Sequence, residues 1–368
     1  MSSINTVRHP RSIVTVNGIR LTGLSWEVNN NGYYHADTFS VLLTLTQPDQ
    51  PQINAAWWSQ QTILDVVIYD GIPTDPQKYS IADLSVRIRG LVDTTELDPI
   101  NKTVRVTGRD YTSRLIDTKT EPPNQNWKAS DVAAAYAKKY GLKANIAPTK
   151  IRIGTYSQGD YVHTKVGRSA WDILCYLAQQ EQYIVYVSNQ TLNFIPFPDE
   201  KSATVLTLDA SQRITTGPAP SLSFVRNLTI ANGIVVYVRS WNSKNKKGFT
   251  VFARLKRTKD KVTKKRQPLT GEEQIYTYRV PNLTKDQAQQ KANAYLASLS
   301  RHEVKFEAAD MPGNPDLDPF QPVKWVYQGT QYEQVYYLEL IIRSFSFDGG
   351  YKMTIRGKNH SVNSQVLL

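Results

Sequence analysis

Apolar and polar residues alternate with period two through much of the chain. In residues 13–21, IVTVNGIRL, Asn17-Gly18 interrupts the alternation, which is the strongest short-range signal for a two-residue hairpin. Phe39, Val41, Leu43 and Leu45 restore it as a half-buried strand, a helical turn is expected within residues 54–59, and further strands over 63–69, 85–93 and 103–108. A breaker cluster, Glu121-Pro122-Pro123-Asn124, ends this pattern. Helical spacing then takes over. Ser130 is expected to cap a helix whose apolar face is Ala133, Tyr136, Ala137 and Tyr140, with Gly141 as the stop. Ser169 and Asp172 form a capping pair ahead of the stripe Trp171, Leu174, Cys175 and Ala178. A hairpin is expected over 183–195 around Ser188-Asn189. Strands return at 222–230 and 234–241. Thr284 and Gln287 then cap a helix carrying Ala288, Ala292, Tyr295, Leu296 and Leu299. The longest strand, 335–347, is joined to a last one through Asp348-Gly349-Gly350.

The order of these strands repeats. Residues 103–115, TVRVTGRDYTSRL, share an outline with residues 352–361, KMTIRGKNHS: a strand, Gly108 or Gly357, a base (Arg109 or Lys358), then Asp110 or Asn359. Upstream lie Ile88-Arg89 and Ile342-Arg343, and before those Tyr69-Asp70-Gly71 and Tyr327-Gln328-Gly329. Earlier still, alternating strands run into proline-containing connections. Internal duplication follows as the expectation, and different strand orders in the two copies would refute it. Gly71, Arg89, Gly108, Arg109, Asp110, Gly329, Arg343, Gly357, Lys358 and Asn359 are therefore candidate repeat-marking or assembly residues.

At 368 residues the chain is long enough for two or three cores. The expected division is a first β-domain over 1–118, an α/β middle domain over 119–218, and a second β-domain over 219–368 with a basic β insertion around 242–282. No apolar run approaches the roughly 18 residues of a membrane helix, and residues 1–10 lack a signal core, so neither stable membrane insertion nor secretion by the usual route is expected. One cysteine, Cys175, excludes an intrachain disulfide and a cysteine-rich zinc site.

Catalytic spacings are absent from the sequence. His9, His35, His163, His302 and His360 are scattered, and no phosphate-cradling, nucleophile-elbow or dinucleotide-binding glycine motif occurs. Cys175 falls on a helix's apolar stripe, as an inert core thiol does. Asp316 and Asp318 offer two carboxylates without the further oxygens calcium requires. No catalytic residue, metal site or cofactor is expected.

The net charge is +12, and it concentrates in residues 254–266, RLKRTKDKVTKKR. Arg254, Lys256, Arg257, Lys264, Lys265 and Arg266 are candidate docking residues. A solvated loop, a dock for an acidic protein and a nucleic-acid contact all fit this run, although no aromatic residue interleaves its bases.

The strings VTGRDYTSRLIDT (106–118) and GRSAWDILCYLAQQEQYIVYVSNQTLNFIP (167–196), with the C-terminal order of capped helix, LDPFQPVKW, long strand, Asp-Gly-Gly turn and IRG, resemble baseplate hub proteins of contractile-tailed phages. The resemblance is to the Mu-like hub and late control D family, with a more distant similarity to the N-terminal part of VgrG spikes. It implies an α+β, predominantly β protein: two similar β-barrel tube-type domains separated by a smaller α/β domain. It also implies a homotrimer whose six barrels join a hexameric tail tube to a trimeric central spike. The implied partners are the tail tube protein, the central spike protein, the tape measure protein and baseplate wedge proteins, with DNA only in transit. The implied location is the virion baseplate, after assembly in the host cytoplasm. Some hubs carry a fused lysozyme or spike helix, whereas this chain stops at Leu368, so cell-wall cleavage is expected to reside elsewhere. Family hubs often show glycine where this chain has Phe320, and the local turn is expected to differ. A basic nucleic-acid-binding protein and a lytic tail enzyme are the alternatives.

Overall fold

A computed structural model describes residues 9–32, 34–47, 49–120, 126–150, 152–153, 167–181, 183–196, 206–210, 221–227, 234–242, 247–254, 274–281, 283–300, 304–330 and 332–359. The first strands are β1 (Arg11–Val16), β2 (Ile19–Leu21), β3 (Gly23–Asn31), β4 (Thr38–Thr44), β5 (Asp65–Gly71), β6 (Ser85–Asp98) and β7 (Thr103–Asp110). Asn17 and Gly18 take φ of 51° and 79°, the left-handed values a two-residue hairpin needs, and Val16 pairs with Ile19. Helix α1 (Ala55–Gln60) is capped by Asn54, whose side-chain oxygen accepts the N–H groups of Ala56 and Trp57.

Helices α2 (Thr112–Ile116), α3 (Ala129–Lys139) and α4 (Ala170–Glu181) pack with the small sheet of β8 (Lys143–Ile146), β9 (Tyr183–Ser188) and β10 (Thr191–Pro196). Val132, Ala133, Leu174, Leu177 and Phe194 fill that core, which also takes in Tyr111 and Leu115. Helix α3 starts before Ser130. The Asp131 carboxylate accepts the Lys128 N–H at 2.9 Å, which puts Ser130 inside the first turn. Ser169 and Asp172 do cap α4 reciprocally, at 3.3 and 3.0 Å.

The remaining elements are β11 (Leu206–Asp209), β12 (Ser221–Arg226), β13 (Ile234–Asn242), β14 (Lys247–Arg254), β15 (Gln274–Arg279), α5 (Lys285–Ser300), β16 (Val304–Pro312), β17 (Val323–Val326), β18 (Gln334–Ser346) and β19 (Gly350–Lys358). Thr284 and Gln287 cap α5 as their spacing predicts, at 2.9 and 3.2 Å. Its Ala288, Ala292 and Leu296 pack on Val236 and Val238 of a three-stranded sheet ordered β14-β13-β15.

The expected pair of β-barrels is not what forms. The β-units share one 13-stranded mixed sheet, β12-β16-β19-β18-β3-β4-β7-β6-β5-β1-β2, with β17 also paired to β18 and β11 to β17. The sheet does not close or curl among the described residues, because β12 and β2 end it and never meet. Period-two alternation dictates which face of a strand is buried but leaves its edges undetermined.

Within this sheet the strand order recurs. The antiparallel series β3-β4-β7-β6-β5 has its counterpart in β12-β16-β19-β18-β17, also antiparallel at every step. The register agrees as well. Phe39 faces Gly108 and Val92 faces Gly108 from the other side, while Phe306 and Leu338 flank Gly357 in the same way. Both β6 and β18 carry a bulge immediately after that position, at Asp93 and Glu339.

Candidate functional site

Each ladder contains the same small cassette around its glycine. A Cβ at position 108 would lie 2.1 Å from the Leu91 carbonyl oxygen and 2.6 Å from Cζ of Phe39. At position 357 it would lie 2.5 Å from Cε1 of Phe306 and 2.7 Å from the Tyr337 carbonyl oxygen. Glycine is needed here for close approach, and the phenylalanine on the neighbouring strand covers the gap it leaves. The next residue reaches the bulge: Arg109 pairs with Asp93 at 2.7 Å, and Lys358 pairs with Glu339. Arg109 also holds Asp117 at 2.8 Å, and the hydrogen bonds it donates to both acids hold its guanidinium above the ordinary arginine range. The third residue closes the cassette through its backbone, with Asp110 N–H donating to Asp37 at 2.9 Å and Asn359 N–H to Val304 at 3.1 Å.

The two ladders meet where β3 pairs with β18, Val28 opposite Arg343. Arg343 is fully buried there. Its guanidinium donates to the Asn30 side-chain oxygen at 2.5 Å and to the Leu317 carbonyl. Burial, reinforced by the positive charge of Arg87, lowers its pKa to about 10. Asn30 in turn donates to Asp37 at 2.8 Å, and the Asn31 N–H does so at 2.7 Å. Burial outweighs those two bonds and raises Asp37 to about 6. Asp110 is pushed well above the carboxylate range, first by burial and then by the charge of Asp37.

A second buried pair ties the same junction. Arg87 on β6 grips Asp70 on β5 with contacts of 2.7–3.0 Å, and donates to the Pro315 carbonyl at 2.6 Å. Burial opposes its charge, but Asp70 outweighs burial and Arg87 is held above its ordinary value. Tyr351 on β19 donates to the same carboxylate, and burial followed by that carboxylate's charge raises the phenol strongly. Ions this deep persist when every partner is in place, so the network fixes one ladder against the other. Of these groups Asn30, Asp37, Arg87 and Asp110 line a cavity of about 230 Å³ that extends to Asp316, Asp318 and Phe320.

The other sequence candidates are placed differently. Arg89 corresponds in register to Val335 and not to Arg343. It pairs with Asp65 at 2.9 Å and lies 5.7 Å over the Tyr111 ring. Gly71 is buried at the end of β5, 3.1 Å from Leu84 by its virtual Cβ, whereas Gly329 sits in an exposed turn with φ of 76°. Arg254 ends β14 and is exposed; Lys256, Arg257, Lys264, Lys265 and Arg266 lie outside the described residues. The outer face of that three-stranded sheet carries exposed Trp241, Phe252 and Ile275, with Arg239 and Arg279 side by side. Phe320 packs at a tilt against Tyr186 of β9, centroids 4.1 Å apart, which anchors its loop to the α/β unit. Cys175 is half-buried, and burial pushes its thiol up to about 12. Among the described residues no group of three or more His, Cys, Asp or Glu side chains could hold a metal. Sequence reasoning placed Phe39 and Phe306 on matching strands without their contact to the glycines, and it did not find the roles of Asp93 and Glu339 or the Asp70–Arg87–Tyr351 group. Aligning on the two glycines and allowing for the bulge would have exposed the first four.

No family model matches this chain, and no curated protein matches it in sequence. Solved structures do match. A tail protein from Neisseria meningitidis MC58 superposes with a TM-score of 0.66 at 14% identity, covering 95% of this chain and 96% of that one. The chain has the fold of phage tail proteins. The 43 kDa tail protein of prophage MuSo2 from Shewanella oneidensis gives a TM-score of 0.64 at 14% identity, covering 95% and 98%. The E. coli c3393 protein, a type VI secretion component described as similar to the T4 tail proteins gp27 and gp5, gives 0.53 at 9% identity, covering 95% and 77%.

Proposed function

We propose that this chain is a structural subunit of a contractile phage-type tail, the hub that joins tail tube to central spike in the baseplate. It works as a homotrimer. Three copies with two equivalent ladders each present six equivalent surfaces to a hexameric tube above and threefold contacts to a spike below. The tape measure protein and DNA pass through the centre, wedge proteins dock outside, and assembly takes place in the host cytoplasm before incorporation into the virion. The protein performs no reaction. Its repeat-marking residues, Gly108, Arg109 and Asp110 with Gly357, Lys358 and Asn359, keep the two ladders alike.

The observation that carries this reading is the duplicated cassette, Gly–Phe contact and bulge ion pair included, in a chain with the tail-protein fold. Sedimentation velocity with negative-stain imaging tests it. Ring-shaped trimers are expected, and a stable monomer at micromolar concentration overturns it.

One observation favours nucleic acid as a second partner class: aromatic and basic side chains share the outer face of β13, β14 and β15. Retention of DNA that weakens steeply with salt and disappears on charge reversal at Lys264, Lys265 and Arg266 would favour it.

A further inference from the structure

Among the described residues two strand edges are left open, and they are the counterparts of two edges that pair with each other elsewhere in the same chain. Strand β3 is held between β4 and β18. Its counterpart β12 pairs with β16, Phe224 opposite Phe306 as Val28 is opposite Phe39. No strand pairs with the other edge of residues 221–225 among the described residues. Strand β18 is covered by β3 from Leu340 to Ser346. Its counterpart β6 is covered by β5 only up to Leu91, with the Val92 N–H still reaching the Leu64 carbonyl at 3.0 Å. Beyond that, residues 93–98 have β7 on one side and no strand on the other among the described residues, and 93–96 are exposed in succession.

Residues 94–98, TTELD, hold no proline or lysine, and the charges that guard this edge are the acids Glu96 and Asp98. The chemistry of the two edges is complementary. The β6 edge over 94–98 carries Glu96 and Asp98, Asp93 being held by Arg109, while β12, SLSFVR, has no acid and one base. Leu97 and Phe224 are each half-buried at their own edge, and Val225 is 63% exposed.

We propose that β12 of one copy adds antiparallel to residues 94–98 of β6 in the next copy, in the register that β3 takes on β18. The internal pairs Ile342 with Asn29, Arg343 with Val28 and Ser344 with Glu27 set that register. It places Glu96 opposite Val225, Leu97 opposite Phe224 and Asp98 opposite Ser223. The contact is head-to-tail, since each copy gives β12 and receives on β6, so it either closes a ring or runs on as a filament. Closure after three copies rests on the hub reading above. The junction between chains then repeats the junction within each chain.

Disulfide trapping tests the register. Glu96→Cys and Val225→Cys are introduced together into full-length protein carrying Cys175→Ser; both positions are exposed, so the fold tolerates them. Oxidation is expected to shift the band on a non-reducing gel from monomer to covalent trimer. Thr94→Cys with Ser223→Cys, four residues out of register and therefore about 13 Å apart, is expected to remain unlinked. If the protein sediments as a trimer but E96C/V225C stays monomeric on the gel, or both pairs link equally, this register is wrong while the hub reading stands. A monomer in sedimentation removes the hub reading and this pairing together.

Discussion

Tyr351 donates its hydroxyl proton to the carboxylate of Asp70, 281 residues earlier in the chain, and so joins the last strand of one ladder to the edge of the other. Asp70 also carries Arg87, which leaves the tyrosine as the second of two partners on a buried acid. Tyr351→Phe should lower stability by about 1–2 kcal/mol, the usual cost of removing one donor from a buried charge. Arg87→Met, which strands the carboxylate without its counter-ion, should cost about 3–5 kcal/mol. Urea titration of both variants checks the order, and equal midpoints would show that the network is not what secures the junction.

The glycines at 108 and 357 should not be interchangeable with alanine, nor equally sensitive. At 108 the new methyl meets backbone at 2.1 Å, whereas at 357 it first meets the edge of the Phe306 ring, which can tilt. Gly108→Ala is expected to lose more than about 2 kcal/mol, and Gly357→Ala less. Thermal melts of the two variants measure the difference.

The acid pair Asp37 and Asp110 makes the junction sensitive to pH in a direction opposite to most carboxylates. A folded-state pKa raised to about 6 for Asp37 means the protonated form is favoured in the fold. The stability it contributes is complete below the unfolded value and is lost as pH rises through 6. Stability should therefore fall between about pH 4 and about pH 6.5 by on the order of 3 kcal/mol from this site. Asp37→Asn should flatten that slope, and an unchanged slope would place the titration elsewhere.

Cys175 should behave as a packed side chain. With its thiol pushed up to about 12 by burial, alkylation at pH 8 should be slow in the native protein and fast in denaturant. Mass spectrometry after timed exposure to iodoacetamide measures both rates.

Features legible in the sequence were those with short-range causes. Asn17-Gly18, Ser169 with Asp172 and Thr284 with Gln287 each act within four residues, and each forms as its chemistry dictates. Gly108 and Gly357 were found as a pair because the residues after them repeat. The pairing of Arg89 with Arg343 failed because both belong to Ile-Arg dipeptides on corresponding strands, yet Arg343 lies beyond the bulge and Arg89 before it. Gly71 and Gly329 matched only in their Tyr-x-Gly spelling. Asp70, Arg87 and Tyr351 left no trace, since nothing local links residues so far apart. The expected closure into barrels failed for a related reason: hydrophobic alternation marks faces, and closure is decided at edges.

The pairing of β3 with β18 has a consequence for how the protein is made. Arg343 lies 313 residues beyond Asn30, so β3 leaves the ribosome long before the strand that will cover it exists. At about 5–20 residues per second, translation takes roughly 15–60 s to deliver that partner. Throughout that interval a nascent chain displays a naked hydrogen-bonding border, so synthesis rate and chaperone supply during expression will govern yield.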